Sequence, residues 1–362
     1  KNKGLWWLSS PAHREVFEGL FSGERRKVVM AATEDSNSRT PEINLLARGG
    51  LWQAGLLQHN EVSIHADLFS FNRFFQWEYP KSGSPYLRLM VAHTTLGMTQ
   101  LNTRIRDVFE TDSGFVFNPI GQESSEIFFH LLGKGLVRSA SPENILGYNP
   151  IGIVVHQPTE KWLRDAHNGH APENWEDDPE LHRAVIPHNG CLWGMTPTPE
   201  HALQAVLLDK TLQFGYQVPA TPYGLIAFVP SDADLSQVHG IREWWHTDGI
   251  DVWQEGGPRL SGQQAAEALE SAFAEAAEAM PFRVEGYAFL NIHKMKEGHF
   301  RLYLVDPGWL DPGDRDVVVR IQADGEFLAE DKIQGNTLTI NDGKIALTIP
   351  AGTLRIIDMI QQ

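Results

Sequence analysis

Apolar runs of strand length alternate with stretches of helical periodicity over most of the chain. The strand-like runs are residues 27–32, 61–67, 151–155 and 224–229. Alternation of this kind is typical of parallel strands that are joined by crossover helices. The pattern therefore predicts an α/β architecture.

Helices are predicted at residues 41–58, 127–132, 200–209 and 261–280, and the last of these is the clearest. Ser261 can cap its N-terminus. Its apolar stripe consists of Ala265, Leu269, Phe273, Ala276 and Met280. Gly133 is a stop signal for the helix at 127–132. For residues 86–98, periodicity does not decide between a helix and a long strand.

After Pro281 the pattern changes to short strand-like runs that are separated by turns. The runs are 287–292, 300–305, 316–322, 337–340, 345–349 and 354–359. Dipeptides such as Asp324-Gly325 and Asp342-Gly343 favour tight turns. We therefore expect an α/β domain over residues 1–285 and a β-sandwich over residues 286–362. Alternatively, residues 223–285 can form a separate, doubly wound subdomain.

Composition narrows the classes of function. The chain has 362 residues and a formal net charge of −16, which argues against nucleic acid or an anionic membrane as a partner. It contains no run of about 18 apolar residues, so no membrane span is expected. The single cysteine, Cys191, excludes an intrachain disulfide and a cysteine-rich zinc site. Glycine-rich phosphate loops and a GxSxG elbow are absent, so we expect no cofactor and no nucleophilic serine of that type.

The first residues are Lys1-Asn2-Lys3-Gly4, without an initiator methionine or a signal-type apolar stretch. The sequence can therefore be part of a longer protein. It leaves the location and the oligomeric state open, and a secreted or periplasmic location is slightly favoured.

Three segments carry a resemblance to known enzymes. They are residues 248–253 (DGIDVW), Glu34 and Asp35 at a predicted strand end, and residues 351–357 (AGTLRII). In layout the chain resembles glycoside hydrolases in which a (β/α)8-type barrel carries catalysis and a terminal β-sandwich packs beside it. The resemblance implies a (β/α)8-barrel-like domain, followed by a small antiparallel β-sandwich. It further implies an enzyme whose substrate is a polysaccharide or an oligosaccharide.

Carboxylates near predicted strand ends are the candidate catalytic groups. Glycoside cleavage needs two carboxyl groups that flank the scissile bond, and in a barrel such groups lie at the carboxyl ends of strands. Asp67, Asp248 and one of Glu34 and Asp35 meet this condition. One carboxylic acid would protonate the leaving oxygen, and a second would attack or activate water.

Aromatic and imidazole side chains near these acids are the expected substrate contacts. Indole rings offer a flat apolar face to a sugar, and neutral imidazole both donates and accepts hydrogen bonds. The predicted binding residues are His65, His188, Trp244, Trp245, His246 and Asp251, and Trp253 also fits sugar stacking. In one extended strand Asp248 and Asp251 would lie on opposite faces, so they would not act as a pair.

Structural explanations remain open for each group. Glu34 and Asp35 can cap a helix, Asp67 can lie on the exposed face of an edge strand, and the tryptophans can belong to a core.

Two further functions also remain open. His156, His167, His170, His182 and His188 can hold a divalent metal together with nearby aspartates, although no HExxH motif occurs. This reading makes the protein a metal-dependent hydrolase. Alternatively, the chain is a non-catalytic carbohydrate-binding or scaffolding part of a larger enzyme.

Overall fold

A computed structural model describes residues 19, 23–34, 52, 55, 58–64, 85–103, 108–156, 225–231, 234–247, 251–306 and 312–362. The chain divides into two compact units, and each is assembled from separate stretches of sequence. The first unit comprises Lys1–Thr33, Ser38–Asn60 and Tyr148–Glu278. The second comprises Glu34–Asn37, Glu61–Gly147 and Ala279–Gln362.

The first unit contains a five-stranded mixed sheet. Its strands are β6 (Tyr148–Val155), β7 (Leu225–Pro230), β8 (Glu243–Thr247), β9 (Asp251–Gln254) and β10 (Leu260–Ser261), in the order β10-β9-β8-β6-β7. Strand β6 pairs in parallel with both β7 and β8. Strands β8, β9 and β10 follow one another in antiparallel pairs. The predicted parallel strands are therefore present, and two antiparallel strands extend the sheet on one side.

Helix α3 (Gly262–Ala276) packs against this sheet. Its buried side chains include Ala265, Leu269 and Phe273, as the apolar stripe predicts. The stripe continues at the buried Ala277 rather than at Ala276, which is only half-buried, because the chain tightens into a 3₁₀ turn at Ala277–Ala279. The buried amide of Asn149 on β6 donates to the Phe273 carbonyl oxygen over 2.9 Å and fixes helix to strand.

The chain begins, within the described residues, with a 3₁₀ helix (Gly23–Lys27) and strand β1 (Met30–Glu34). The second unit then contributes β2 (His59–Ile64, from Glu61 onward) paired in parallel with β3 (Gln100–Thr103). A hairpin of β4 (Val108–Thr111) and β5 (Gly114–Phe117), which the sequence pattern did not reveal, follows. A helical turn (Pro119–Gly121) and a π-helix (Gln122–Glu126) lead into helix α2 (Ile127–Gly133), which ends at the predicted glycine.

Helix α1 (Pro85–Thr95) settles the ambiguity of residues 86–98. Every residue from Tyr86 to Met98 is buried, so no polar face marks the helical period. The burial extends to Arg88, whose Nη1 donates to the Asp306 carbonyl oxygen over 3.0 Å. Asp306 also accepts from Arg315 and from the backbone N–H groups of Gly313 and Gly352, which compensates the two buried charges.

The rest of the second unit is antiparallel. One sheet has the order β12-β13-β18-β15-β16 and the other the order β11-β14-β17. The strands are β11 (Phe282–Glu285), β12 (Phe289–Lys296), β13 (His299–Val305), β14 (Arg315–Ile321), β15 (Phe327–Asp331), β16 (Asn336–Leu338), β17 (Lys344–Ile349) and β18 (Leu354–Gln361). The Phe282 ring on one sheet contacts Phe300 and Phe327 on the other, at 5.3 and 5.6 Å between centroids. The two sheets therefore pack face to face, as in a β-sandwich.

A buried ion pair joins β13 to β18 on the face of the five-stranded sheet that is turned away from the other sheet, since Phe300, the neighbour of Arg301, faces that sheet. Arg301 Nε lies 2.6 Å from Asp358 Oδ1, and Arg301 Nη2 lies 2.8 Å from Asp358 Oδ2. Burial alone would raise the pKa of the Asp358 carboxyl, but the hydrogen bonds and charge of Arg301 outweigh it and lower that pKa. Arg301 Nη1 also donates to the carbonyl oxygens of Gly135 and Leu136 and so holds the segment after α2.

His293 on β12 is a buried neutral imidazole. Its Nε2 lies 2.8 Å from the Thr95 carbonyl oxygen and donates to it, whereas Nδ1 is buried and has no hydrogen-bond partner among the described residues. Burial, assisted by the charges of Arg138 and Arg301, lowers the pKa of His293 to about 4 and outweighs the opposing effect of the Thr95 hydrogen bond.

Several sequence predictions fall outside the described residues. They include the helix at 200–209 and most of the helix at 41–58. Closure of a (β/α)8 barrel therefore stays a prediction. Among the described helices, none is long and apolar enough to cross a membrane.

Candidate functional site

The carboxyl ends of three parallel strands lie at one edge of the sheet in the first unit. Strand β8 ends at Thr247, and β6 ends at Val155, with His156 directly after it. The His156 backbone N–H donates to the Thr247 carbonyl oxygen over 2.7 Å and holds the two ends together. In open α/β sheets, ligands bind beyond this edge.

Three rings cluster at this edge. His156 Nε2 lies 2.9 Å from His246 Nδ1, so one imidazole donates a hydrogen bond to the other. The Trp253 ring stacks against both imidazoles, with centroids 5.3 Å from His156 and 5.9 Å from His246. We call His156, His246 and Trp253 the ring cluster.

Strand register explains why these rings meet. His246 on β8 is directly opposite Trp253 on β9 and Val154 on β6. Directly opposite residues present their side chains to the same face of a sheet. His156 is two positions beyond Val154 and returns to that face. Residues up to 97 positions apart in sequence are therefore brought together by backbone pairing.

Trp244 lies on the same face, two positions before His246. It is half-buried, and it pairs with Gly152 on β6. A Cβ atom at position 152 would lie 2.2 Å from the Trp244 ring, so only glycine leaves room for this indole.

Substitution of Gly152 by alanine is expected to displace the Trp244 ring and to lower the free energy of unfolding by about 1–3 kcal/mol. Chemical denaturation checks the stability, and tryptophan fluorescence checks the ring environment. Gly133→Ala is the matched control, because a Cβ at Gly133 meets nothing within 4 Å. Combining Gly152→Ala with Trp244→Leu should recover most of the loss, and equal losses in the single and double variants would contradict the steric explanation.

A cation lies over the ring cluster. The guanidinium carbon of Arg259 is 4.0 Å from the centroid of the Trp253 ring, a cation–π geometry. Arg259 Nη1 also lies 3.8 Å from Asp251 Oδ2. Arg259 is exposed and Asp251 is half-buried, so these charges face the solvent side of the cluster.

Partial burial is the main influence on the protonation of His246. It lowers the pKa of the imidazole, while the negative charge of Glu255 acts in the opposite direction. A neutral imidazole can donate and accept hydrogen bonds at once. Flat rings next to such groups and a cation can bind a sugar ring together with its hydroxyl groups.

The structure describes five of the ten predicted site residues. His246 belongs to the ring cluster, Trp244 and Asp251 are two positions from its members on β8 and β9, and Glu34 is the last residue of β1. Trp245 points to the other face of β8 and is buried with 7% exposed; its indole N–H donates to Glu243 Oε1 over 3.1 Å. Asp35, His65, Asp67, His188 and Asp248 lie outside the described residues.

Asp251 is the first residue of its strand, and Asp248 is outside the described residues, so the expected relation between these two acids stays a prediction. Strand β8 ends at Thr247, and Asp251 begins the antiparallel strand β9. Thr247 Oγ1 donates to the Asp251 carbonyl oxygen over 2.7 Å and so links the end of β8 to the start of β9.

Sequence reasoning placed His156 in a group with the later histidines, and it missed Arg259 and Glu255. Within the described residues no group of three or more metal-ligating side chains occurs. His156 instead meets His246, 90 positions away. For Arg259 a local signal existed, since Gly256-Gly257-Pro258 predicts a turn that brings it back beside β9.

Comparison with protein-family models matches residues 1–242 to the lambda-carrageenase middle domain and residues 283–360 to the lambda-carrageenase C-terminal domain. The chain therefore belongs to the lambda-carrageenase middle-domain family. Two curated relatives are the lambda-carrageenases of Pseudoalteromonas carrageenovora and of a Pseudoalteromonas species, each 23% identical over 99% of this chain. The chain spans 38% of the length of either relative.

Solved structures with detectable similarity include glycoside hydrolases. One is the catalytic module of a family 98 glycoside hydrolase from Streptococcus pneumoniae TIGR4 in complex with the H-disaccharide blood group antigen. Its TM-score is 0.37 at 11% identity, covering 99% of this chain and 72% of that one. An alpha-amylase from Anoxybacillus gives a TM-score of 0.18 at 10% identity, over 57% of this chain and 47% of that one.

Proposed function

We propose that the protein containing this chain is a glycoside hydrolase that cleaves a polysaccharide of the carrageenan type. The match of residues 1–242 to the lambda-carrageenase middle domain is the observation that carries this proposal. The curated relatives that align over 99% of the chain are lambda-carrageenases as well. A secreted or periplasmic location is part of the proposal, since a polymeric substrate does not cross a membrane unaided.

The proposed mechanism uses paired carboxylates. Asp248 directly follows Thr247, the residue with which β8 ends at the carboxyl edge of the sheet. Asp67 follows β2 by three positions, and Glu34 and Asp35 stand at the end of β1. One acid protonates the glycosidic oxygen, and another attacks the anomeric carbon or activates water.

Substrate binding is assigned to the aromatic edge of the first unit. The half-buried Trp244 and Trp253 supply flat faces, and His246 and Asp251 supply hydrogen-bonding groups. His65 and His188 are proposed contacts on sequence grounds alone. Trp245, being buried on the opposite face, would support β8 rather than touch the sugar.

The test is the activity of Asp67→Asn and Asp248→Asn on carrageenan, followed as the release of reducing ends. Loss of either catalytic carboxylate should lower kcat by roughly a hundredfold or more, because the proton transfer or the attack on carbon is lost. Asp112→Asn, at the exposed turn between β4 and β5, is the matched control and should retain full activity. Rates near wild type for both site variants would remove Asp67 and Asp248 from the mechanism.

The 38% coverage of the curated relatives supports a second candidate, a carbohydrate-binding part of a larger enzyme. In that case the chain would bind carrageenan without releasing reducing ends. Affinity electrophoresis in a carrageenan-containing gel, run beside the activity assay, separates the two candidates. Retarded migration without turnover would favour the binding module.

A further inference from the structure

The ring cluster presents two imidazole nitrogens to each other at a fixed spacing. His156 Nε2 and His246 Nδ1 are 2.9 Å apart and come from the ends of neighbouring strands. The backbone hydrogen bond from His156 to Thr247 and the stack of both rings on Trp253 restrict their movement. The spacing is therefore a property of the sheet rather than of loose surface side chains.

This spacing matches that of two ligands on one transition-metal ion. With metal–nitrogen bonds of about 2.0–2.1 Å, two ligands at a right angle are about 2.9 Å apart, whereas tetrahedral ligands are about 3.4 Å apart. Right angles occur in tetragonal and octahedral coordination, which Cu²⁺ and Ni²⁺ adopt with nitrogen ligands. A hydrogen bond sets the same spacing, so the preference among ions rests on the order of affinities of nitrogen sites, in which Cu²⁺ stands above Ni²⁺ and Zn²⁺.

Charge near the pair favours a cation as well. The carboxylate of Glu255 interacts electrostatically with His246. The positively charged guanidinium of Arg259 lies over the Trp253 ring, and its Nη1 lies 3.8 Å from Asp251 Oδ2. All three charged groups lie toward solvent, so water can complete the coordination shell of an ion held by the two imidazoles.

We propose that His156 Nε2 and His246 Nδ1 together bind one divalent transition-metal ion, with Cu²⁺ preferred, and that the ion cross-links the ends of β6 and β8. Two metal–nitrogen bonds replace the hydrogen bond between the imidazoles, and the ring that donated it exchanges its proton with solvent onto its outer nitrogen, so both rings bind the ion as neutral imidazoles. The site goes beyond the proposed hydrolysis and does not depend on it. No catalytic step is assigned to the ion.

The test uses the untagged chain, freed of metal by a chelator and titrated with CuCl₂ in a non-coordinating buffer. Calorimetry gives affinity and stoichiometry, and electron paramagnetic resonance reports nitrogen ligands. We expect one equivalent of Cu²⁺ with superhyperfine structure from two nitrogens, and weaker binding of Zn²⁺. His156→Ala and His246→Ala should each weaken Cu²⁺ binding roughly tenfold or more.

His130→Ala is the control, because His130 is an exposed imidazole on α2 in the second unit. Circular dichroism confirms that each variant is folded, and His246→Gln, with a polar group in place of the ring, repeats the test if the alanine variant unfolds. Unchanged Cu²⁺ binding in either site variant would overturn the two-imidazole site. A spectrum without two coupled nitrogens would overturn it too.

Discussion

Asp358→Asn is expected to lower the free energy of unfolding by about 3–5 kcal/mol. Asparagine matches aspartate in size but carries no charge, so the guanidinium of Arg301 would remain buried beside a neutral amide. Both side chains of the native pair are nearly inaccessible, with 7% and 5% exposed. The loss therefore includes the desolvation cost of an uncompensated charge as well as the lost hydrogen bonds.

An exposed ion pair in the same unit is the matched control. Lys294 Nζ lies 2.7 Å from Glu297 Oε2, a distance like that of the buried pair, but Glu297 is 91% exposed. Glu297→Gln should change the free energy of unfolding by less than about 1 kcal/mol. Urea denaturation followed by far-UV circular dichroism measures both variants. A similar decrease in the free energy of unfolding for both variants would show that burial does not determine how much the Arg301–Asp358 pair contributes to stability.

Acidification is expected to destabilise the second unit through His293. The unfolded imidazole takes up a proton near pH 6.5, but the folded one does so only at about 4. Folding stability from this residue is therefore fully present above pH 6.5 and is lost as the pH falls to about 4. Its size is about 3 kcal/mol over that window. Asp358, whose folded pKa is lowered, contributes its own loss only as the pH falls below the ordinary aspartate range.

The measurement is the free energy of unfolding of wild type and His293→Gln across this pH window. Glutamine can still donate to the Thr95 carbonyl oxygen but does not titrate, so the variant should show a flatter dependence on pH even if it is less stable overall. His130→Gln, at an exposed histidine, should keep the wild-type dependence. A His293→Gln profile parallel to that of wild type would show that another group titrates.

The sequence pattern predicted those helices and strands in which buried and exposed side chains alternate with the period of the element. Helix α3 has one apolar stripe, and α2 ends at Gly133 as expected. After Pro281 turn signals separate short apolar runs in the sequence, and the structure has antiparallel strands there. Helix α1 could not be distinguished from a strand, because it is buried on all sides and keeps even Arg88 from solvent.

The candidate site was less accessible to sequence reasoning because it depends on pairing between distant strands. Nothing local to His156 indicates that His246 is its neighbour; only the β6–β8 register does. Trp244 and Trp245 look equivalent in sequence, yet β8 turns one toward Gly152 and the other into the interior. The catalytic roles of Asp67 and Asp248 stay predictions, because both lie outside the described residues.

The second unit is assembled from stretches that are far apart in the sequence, and this separation affects how the chain folds during synthesis. Arg88 on α1 and Asp306 are 218 positions apart, so the ribosome synthesises a long stretch of chain after α1 before the partner of this buried arginine exists. Until then the apolar side chains of α1 lack the neighbours that bury them in the folded unit, and exposed apolar surface of this kind makes a nascent chain prone to aggregation. Dividing the gene at the expected boundary after residue 285 would separate α1 from Asp306. We therefore expect that the two products do not fold independently.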